Sequence, residues 1–244
     1  MILAPVLLVI GFLAGFVLSS PVSQDEVKDR IAPSVYLVYD EDGHGTGFTV
    51  ELPNGEKVVL TNRHVCGFKP DHKLTLRDHL GNDRPTHIIK ISQNTDLCAL
   101  AAPKDAVALP IANSIAQDER IFTAGYPLIK FMSAHSGRAL GMEEKPSTIA
   151  SSVPDELSVE QCSIYGVLKV QKTMMGDFSY CVLSIDNVIA TDMMIAVGSS
   201  GSPVVNISGE VVGIIFGGPG LSNRLVLAHV IHLSEIQEFL KSIQ

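Results

Sequence analysis

Charge is scarce in this chain. Only 18% of its 244 residues are Asp, Glu, Lys or Arg, and 18 Lys and Arg stand against 26 Asp and Glu, for a formal net charge of -8. With 46% hydrophobic residues, 20 glycines and a positive mean hydropathy, the chain is too apolar for a disordered tail and too rich in glycine for a long coiled coil. It has no basic cluster, so it lacks the electrostatic footprint by which proteins grip phosphate backbones, and no nucleic-acid partner is expected. Helical periodicity is also missing between its strand-like runs, which excludes repeated βαβ units and with them a Rossmann or α/β-hydrolase body. The length suits one large domain or two small ones sharing a core.

What is present begins with an uncharged run, ILAPVLLVIGFLAGFVL at residues 2–18, near the short limit of a spanning helix, about 17 to 25 residues. It reads as a transmembrane anchor or as the apolar region of a cleaved signal, and no Lys or Arg precedes it to favour the signal. Either device exports the rest, so the expectation is a membrane-anchored extracytoplasmic domain, or a secreted one if the segment is removed. Four cysteines, Cys66, Cys98, Cys162 and Cys181, allow two bridges in three connectivities, and equally suit buried free thiols, since each lies in apolar company. Asn206-Ile207-Ser208 has the form of a glycosylation sequon, but it falls in a tight turn between two strand-like runs.

From Ile31 onward the chain is a succession of short β-branched and aromatic runs, among them SVYLVY, GTGFTVEL, KVVLTN, RIFTAGY and EVVGIIFG, cut by Gly, Pro, Asn and Asp. This pattern predicts an all-β protein. Each half supplies about six strands, and the expectation is two six-stranded antiparallel β-barrels facing across a cleft, followed by a C-terminal helix. The boundaries drawn on this basis are 1–20 for the N-terminal segment, 21–130 for the first barrel, 131–160 for an inter-barrel loop and 161–244 for the second barrel with the helix. Pro53-Asn54-Gly55 and Ser208-Gly209-Glu210 read as hairpin turns needing a residue at positive φ. Leu233, Ile236, Phe239, Leu240 and Ile243 form the apolar stripe of the terminal helix, with Ser234 and Gln237 in the form of a capping box.

Three separated pieces carry chemistry. His64 ends a buried run, VVLTNRHVC. Asp96 directly precedes an apolar strand, where a carboxylate is costly unless it accepts hydrogen bonds, and an imidazole N–H is a natural donor. Ser200 sits in GSSGSPV, where flanking glycines let the backbone bend so that a hydroxyl projects while N–H groups converge, as a nucleophile and oxyanion hole require. A lipase-like elbow is excluded, because Ser202 occupies its second glycine and the order here is His, Asp, Ser.

With these residues in this order the sequence resembles the trypsin-like serine peptidases of double-barrel fold, nearest the bacterial branches that include glutamyl endopeptidases and heat-stress periplasmic proteases. The matching pieces are GTGF at 45–48, TNRHV at 61–65, DLCAL at 96–100, AGYP at 124–127, GSSGSPV at 198–204 and GEVVGIIFGG at 209–218. The resemblance implies a serine endopeptidase acting on proteins or peptides, with Ser200 as nucleophile, His64 as general base and acid, and Asp96 orienting the imidazole. It implies an oxyanion hole from the backbone N–H groups of Gly198 and Ser200, and a cleft strand in which Ile215, Phe216, Gly217 and Gly218 meet an extended substrate. No cofactor or metal is implied; His229 and His232 have ligand-like spacing without a partner cluster.

Departures from the pattern narrow the reading. Ser199 stands where animal digestive members keep an Asp that pairs with a newly cut N-terminus, so no such activation switch is expected. Ile215 or Phe216 takes the place of the cleft-strand His of glutamyl endopeptidases, so a preference for Glu is not implied. Met193 and Met194 fall where a specificity pocket has its floor, which points to an apolar P1 side chain. The chain ends soon after its helix, leaving no room for a C-terminal peptide-binding module. The alternatives are a catalytically inactive barrel that serves as a protein-binding module, and an esterase on the same scaffold.

Overall fold

The run VYLVY makes β1 (Val35–Tyr39), and burial on both faces explains why it is apolar throughout rather than alternating. In the computed structural model the described residues are 22–41, 43–67, 72–129, 131–142, 147–152, 167–173, 176–185, 187–217 and 226–243. Around β1 are β2 (His44–Glu51), β3 (Lys57–Thr61), a one-turn helix α2 (Arg63–Cys66), β4 (Leu74–Arg77), β5 (Asp83–Thr86), β6 (Ile88–Ile91) and β7 (Cys98–Ala101). They form one seven-stranded antiparallel sheet in the order β5-β4-β1-β2-β3-β7-β6. The second sheet is built from β8 (Arg120–Gly125), β9 (Ser133–Met142), β13 (Val188–Ile195), β14 (Pro203–Val205), β15 (Val211–Gly217) and β16 (Val226–His232). It closes into a six-stranded barrel. A separate three-stranded sheet holds β10 (Ser147–Ser152), β12 (Gly176–Ile185) and β11 (Val167–Thr173).

The expectation of two six-stranded barrels is therefore corrected: one barrel closes, and the other sheet has seven strands and curls without closing. The reason lies in residues 83–91. The two edge strands, β5 and β6, are successive pieces of one extended segment separated only by His87, and a segment cannot form a ladder with itself. Pro85 removes a donor from the β5 edge, and β6 is irregular between Ile88 and Lys90. The transmembrane expectation finds no support among the described residues, where no helix is long and apolar enough to cross a membrane. Residues 2–18 lie outside the described residues, as do Cys162, Gly218 and much of 131–160.

Both predicted hairpin turns form, with Gly55 and Gly209 at φ 85° and 84°. Asn206 is committed to the second: its Oδ1 accepts from the N–H groups of Ser208 and Glu210, and its Nδ2 donates to Glu210. The terminal helix α3 (Leu233–Ser242) buries Leu233, Ile236, Phe239 and Leu240 as the stripe predicts, but its cap is His232, whose Nδ1 accepts from Ser234 N–H. An N-terminal helix, α1 (Gln24–Ile31), opens with a Ser23–Glu26 capping box and buries Val27 and Ile31 one turn apart.

The largest apolar cluster lies between the sheets, where Phe48, Val50 and Leu60 of the first meet Phe122, Ile214 and Phe216 of the second. The segment between β7 and β8 ties the two together: Leu109 N–H donates to Thr49 and Ala112 N–H to Val211. A disulfide joins Cys66, at the end of α2, to Cys98, the first residue of β7, and both are fully buried. With a sequence separation of 32, this closure removes unfolded-state entropy worth about 3 to 4 kcal/mol in the chain-entropy model. A Cys66→Ala/Cys98→Ala double variant is expected to lose about that much unfolding free energy in urea titration; an unchanged midpoint would show that the bridge contributes no stability.

Candidate active site

The ladder between β3 and β7 ends at Thr61 and Cys98, so the residues just beyond it, 62–66 and 92–97, are brought side by side. Asn62 then starts α2 with extended backbone, and the helical turn lifts His64 toward Asp96. Asp96 is 1% exposed, and its carboxylate is spent entirely on His64: Oδ1 accepts from the His64 backbone N–H at 3.0 Å and Oδ2 meets Nδ1 at 2.7 Å. Its main-chain carbonyl accepts from Arg63 N–H and from Asn62 Nδ2. The carboxylate is thus held to His64 in a two-point grip, one contact to the ring and one to the backbone N–H.

Burial alone pushes the His64 imidazolium toward losing its proton, but the Asp96 charge and hydrogen bond outweigh burial and the nearby Arg63, holding the ring's pKa above the ordinary histidine value of 6.5. Because protonation is favoured in the folded chain, the pair's contribution to stability is complete below about pH 6.5 and fades as pH rises through the raised value.

Ser200 comes from the other half of the chain, on the turn between β13 and β14. This turn docks on the first sheet, where Thr46 N–H donates to the Ser200 carbonyl at 2.7 Å. Gly201 lies at φ 84°, and a Cβ there would fall 1.9 Å from the Thr46 carbonyl, so only glycine permits the approach. Gly198 lies at φ 94°, wedged between the Tyr126 carbonyl and the His44 ring. The N–H groups of Ser199, Gly201 and Ser202 donate to the carbonyls of Ala196, Ile215 and Ser199. Those of Gly198 and Ser200 have no acceptor among the described residues. Ser200 Oγ donates to the Phe216 carbonyl at 3.4 Å, and among the described residues no hydrogen bond joins it to His64.

The remaining predicted positions separate. On β13, burial alternates, so Met193 is fully buried in the barrel interior with Ile121, Ala139 and Ile195, whereas Met194 is 41% exposed. Ile215 also belongs to the barrel interior, Phe216 to the cluster between the sheets, and Gly217 is half-buried. Sequence reasoning overlooked Leu227, which pairs with Met194 across the β13–β16 ladder and is 45% exposed. His229 lies against the Phe216 ring, and His232 is taken up in capping α3. Polar partners of the site, Thr46, Thr61 and Asn62, were also overlooked; the signal available for them was polarity inside otherwise apolar runs, where a buried hydroxyl must find a partner.

Residues 45–214 match the family model described as a trypsin-like peptidase domain. The chain is 27% identical over 171 residues to the mitochondrial serine protease HTRA2 of Drosophila persimilis, covering 70% of this chain and 33% of that protein. It is 28% identical over 179 residues to the serine protease Do-like HtrA of Bacillus subtilis, covering 71% of this chain and again 33% of the other. It thus spans about a third of the length of these relatives. Among solved structures, the serine endoprotease from Yersinia pestis superposes with a TM-score of 0.64 at 17% identity, covering 92% of this chain and 68% of that one. The Rv3671c protease from M. tuberculosis in its active form gives 0.60 at 21%, covering 89% and 83%, and both likenesses speak to the fold alone. The family match runs from the first sheet through the Ser200 turn, and on that extent the chain belongs to the trypsin-like peptidase domain family.

Proposed function

We propose that the chain is a serine endopeptidase that hydrolyses peptide bonds through Ser200, His64 and Asp96. The observation that carries this reading is the two-point hold of a buried carboxylate on His64, together with a glycine-flanked serine whose turn leaves two N–H groups uncommitted among the described residues. With Nδ1 bound to Asp96, the ring's lone pair is directed to Nε2, which takes the Ser200 proton as Oγ bonds to the substrate carbonyl carbon. The C=O electron pair moves onto the oxygen, held by the Gly198 and Ser200 N–H groups. As the C–N bond breaks, His64 returns its proton to the leaving amine, and water repeats the steps to release the acid.

A second reading, a protease-like module that binds without cleaving, draws on the Ser200 hydroxyl pointing to Phe216 rather than to His64. Rotation about χ1 re-aims that hydroxyl, and hydrogen bonds of this kind commonly tighten only when substrate is bound. Exposed Met194 facing Leu227 supports an apolar P1 preference, and the Cys66–Cys98 disulfide supports an oxidising, extracytoplasmic compartment.

Incubated with a fluorophosphonate probe, the full chain is expected to be labelled and its Ser200→Ala variant to stay unlabelled; equal labelling of both, or of neither, would reject the nucleophile. His64 must be neutral to accept a proton, so the acid limb of kcat/KM is expected above pH 6.5. Asp96→Asn is expected to move that limb to lower pH and to reduce kcat by about 10⁴; a limb that stays in place would dissociate His64 from Asp96. In a peptide library, cuts should cluster after apolar residues, and clustering after Lys, Arg or Glu would refute the pocket.

A further inference from the structure

The helical turn that carries His64 is capped by an exchange of partners. Asn62 stands at the N-cap position of α2, where an Asn side chain ordinarily accepts from a backbone N–H two or three residues on. Here its side chain makes no capping bond. The His64 N–H, two residues on, goes instead to Asp96 Oδ1 at 3.0 Å, so the carboxylate caps the turn, while Asn62 Nδ2 donates to the Asp96 main-chain carbonyl at 3.0 Å. A carbonyl only accepts, which sets the amide with Nδ2 toward Asp96 and Oδ1 away from it.

Stability alone does not account for this amide. Asn62 is fully buried, and its Oδ1 has no hydrogen-bond partner among the described residues, a destabilising state for a polar atom away from water. Nor does the Asp96 carbonyl need Asn62 for its own satisfaction, since the Arg63 N–H also donates to it at 3.3 Å. What the amide adds is position. The carbonyl and the Cα of Asp96 lie in one rigid peptide plane, and that Cα bears the carboxylate, so holding the carbonyl holds the root of the side chain. The other bonds of this segment act at its neighbours: Ser92 N–H donates to the Leu97 carbonyl, and Ser92 Oγ accepts from the N–H groups of Asn94 and Thr95.

We infer that Asn62 is a positioning residue for Asp96: its amide holds the root of the carboxylate against the turn that carries His64, so that both carboxylate oxygens stay on His64. It touches no reacting atom and acts through Asp96. The inference deepens the serine peptidase reading above and rests on it for its kinetic consequences.

The test compares wild type with Asn62→Leu, close in shape and without a donor, in full-length chains on a peptide substrate. The variant is expected to lower kcat by about ten- to a hundredfold, well short of the loss of about 10⁴ on removing the orienting acid, with KM within about twofold. Its urea midpoint is expected to stay level or rise, because the unpaired Oδ1 is gone and the Arg63 N–H still serves the Asp96 carbonyl. Burial and Arg63 oppose the His64 imidazolium and Asp96 favours it; among the described residues these are the charged groups that bear on the ring. Asn62 is neutral, so the substitution alters neither charge. A loosened Asp96 favours the imidazolium less, and the acid limb of kcat/KM is expected at lower pH than in wild type. NMR titration of His64 in a Ser200→Ala background is expected to show the same displacement without relying on turnover. Should Asn62→Leu fail to fold, Asn62→Ala, smaller and equally without a donor, is expected to show it. A folded variant whose His64 titrates at the wild-type pH would overturn the inference, whatever its kcat. A wild type inert toward substrate and fluorophosphonate, with the His64 titration still displaced by Asn62→Leu, would instead remove the peptidase reading and leave the positioning of Asp96 in place.

Discussion

The contact between Thr46 and the Gly198–Ser202 turn holds the site together, because it is the point at which the two sheets exchange hydrogen bonds beside the chemistry. His64 and Asp96 come from the curled sheet, Ser200 from the closed barrel. Neither half contains a site. Thr46 N–H bound to the Ser200 carbonyl and the Thr46 hydroxyl bound to the Gly198 carbonyl convert two surfaces into one, in a setting where both partners are shielded from water. Such bonds are individually modest but expensive to leave unmade, so relative sliding of the sheets is opposed at this point more sharply than by apolar packing alone. Glycine at 201 is the geometric condition, since any larger residue would push the Thr46 backbone away.

Apolar packing sets the approach on which this contact depends. The cluster between the sheets draws from β1, β2 and β3 on one side and from β8, β14 and β15 on the other, with α1 and α3 contributing at its margins. The first sheet is apolar on both faces, because its other face carries a second cluster that includes Tyr36, Val38, Leu74 and Leu76. Packing of this kind is non-directional and tolerates small shifts. The polar contacts at Thr46, Thr61 and Asn62 supply direction.

Much of this was legible in the sequence, and the limits follow from what sequence patterns encode. Strand runs, both hairpin turns and the terminal helix are local features, written in periodicity and in glycines at required positions, and they formed where expected. His64, Asp96 and Ser200 stood out because their neighbours were unusual. Barrel closure was not legible, since whether β5 and β6 pair depends on where the chain bends at His87 and not on the composition of either strand. Nor was the orientation of Met193 against Met194, because a run of two methionines gives no phase. The pairing of Cys66 with Cys98 was one of three connectivities, with free thiols an equal alternative, until the β3–β7 register set the two side by side.

That pairing has a topological consequence. The bridge leaves α2 two residues after His64 and enters β7 two residues after Asp96, so the intervening chain, with β4, β5 and β6, is a closed covalent loop hanging from the His64–Asp96 pair. A cut anywhere within that loop would leave the fragment carrying His64 linked to the fragment carrying Asp96. Under the peptidase reading proposed above, in which neighbouring copies would sever peptide bonds, this is a form of damage tolerance placed where a break would otherwise separate His64 from Asp96.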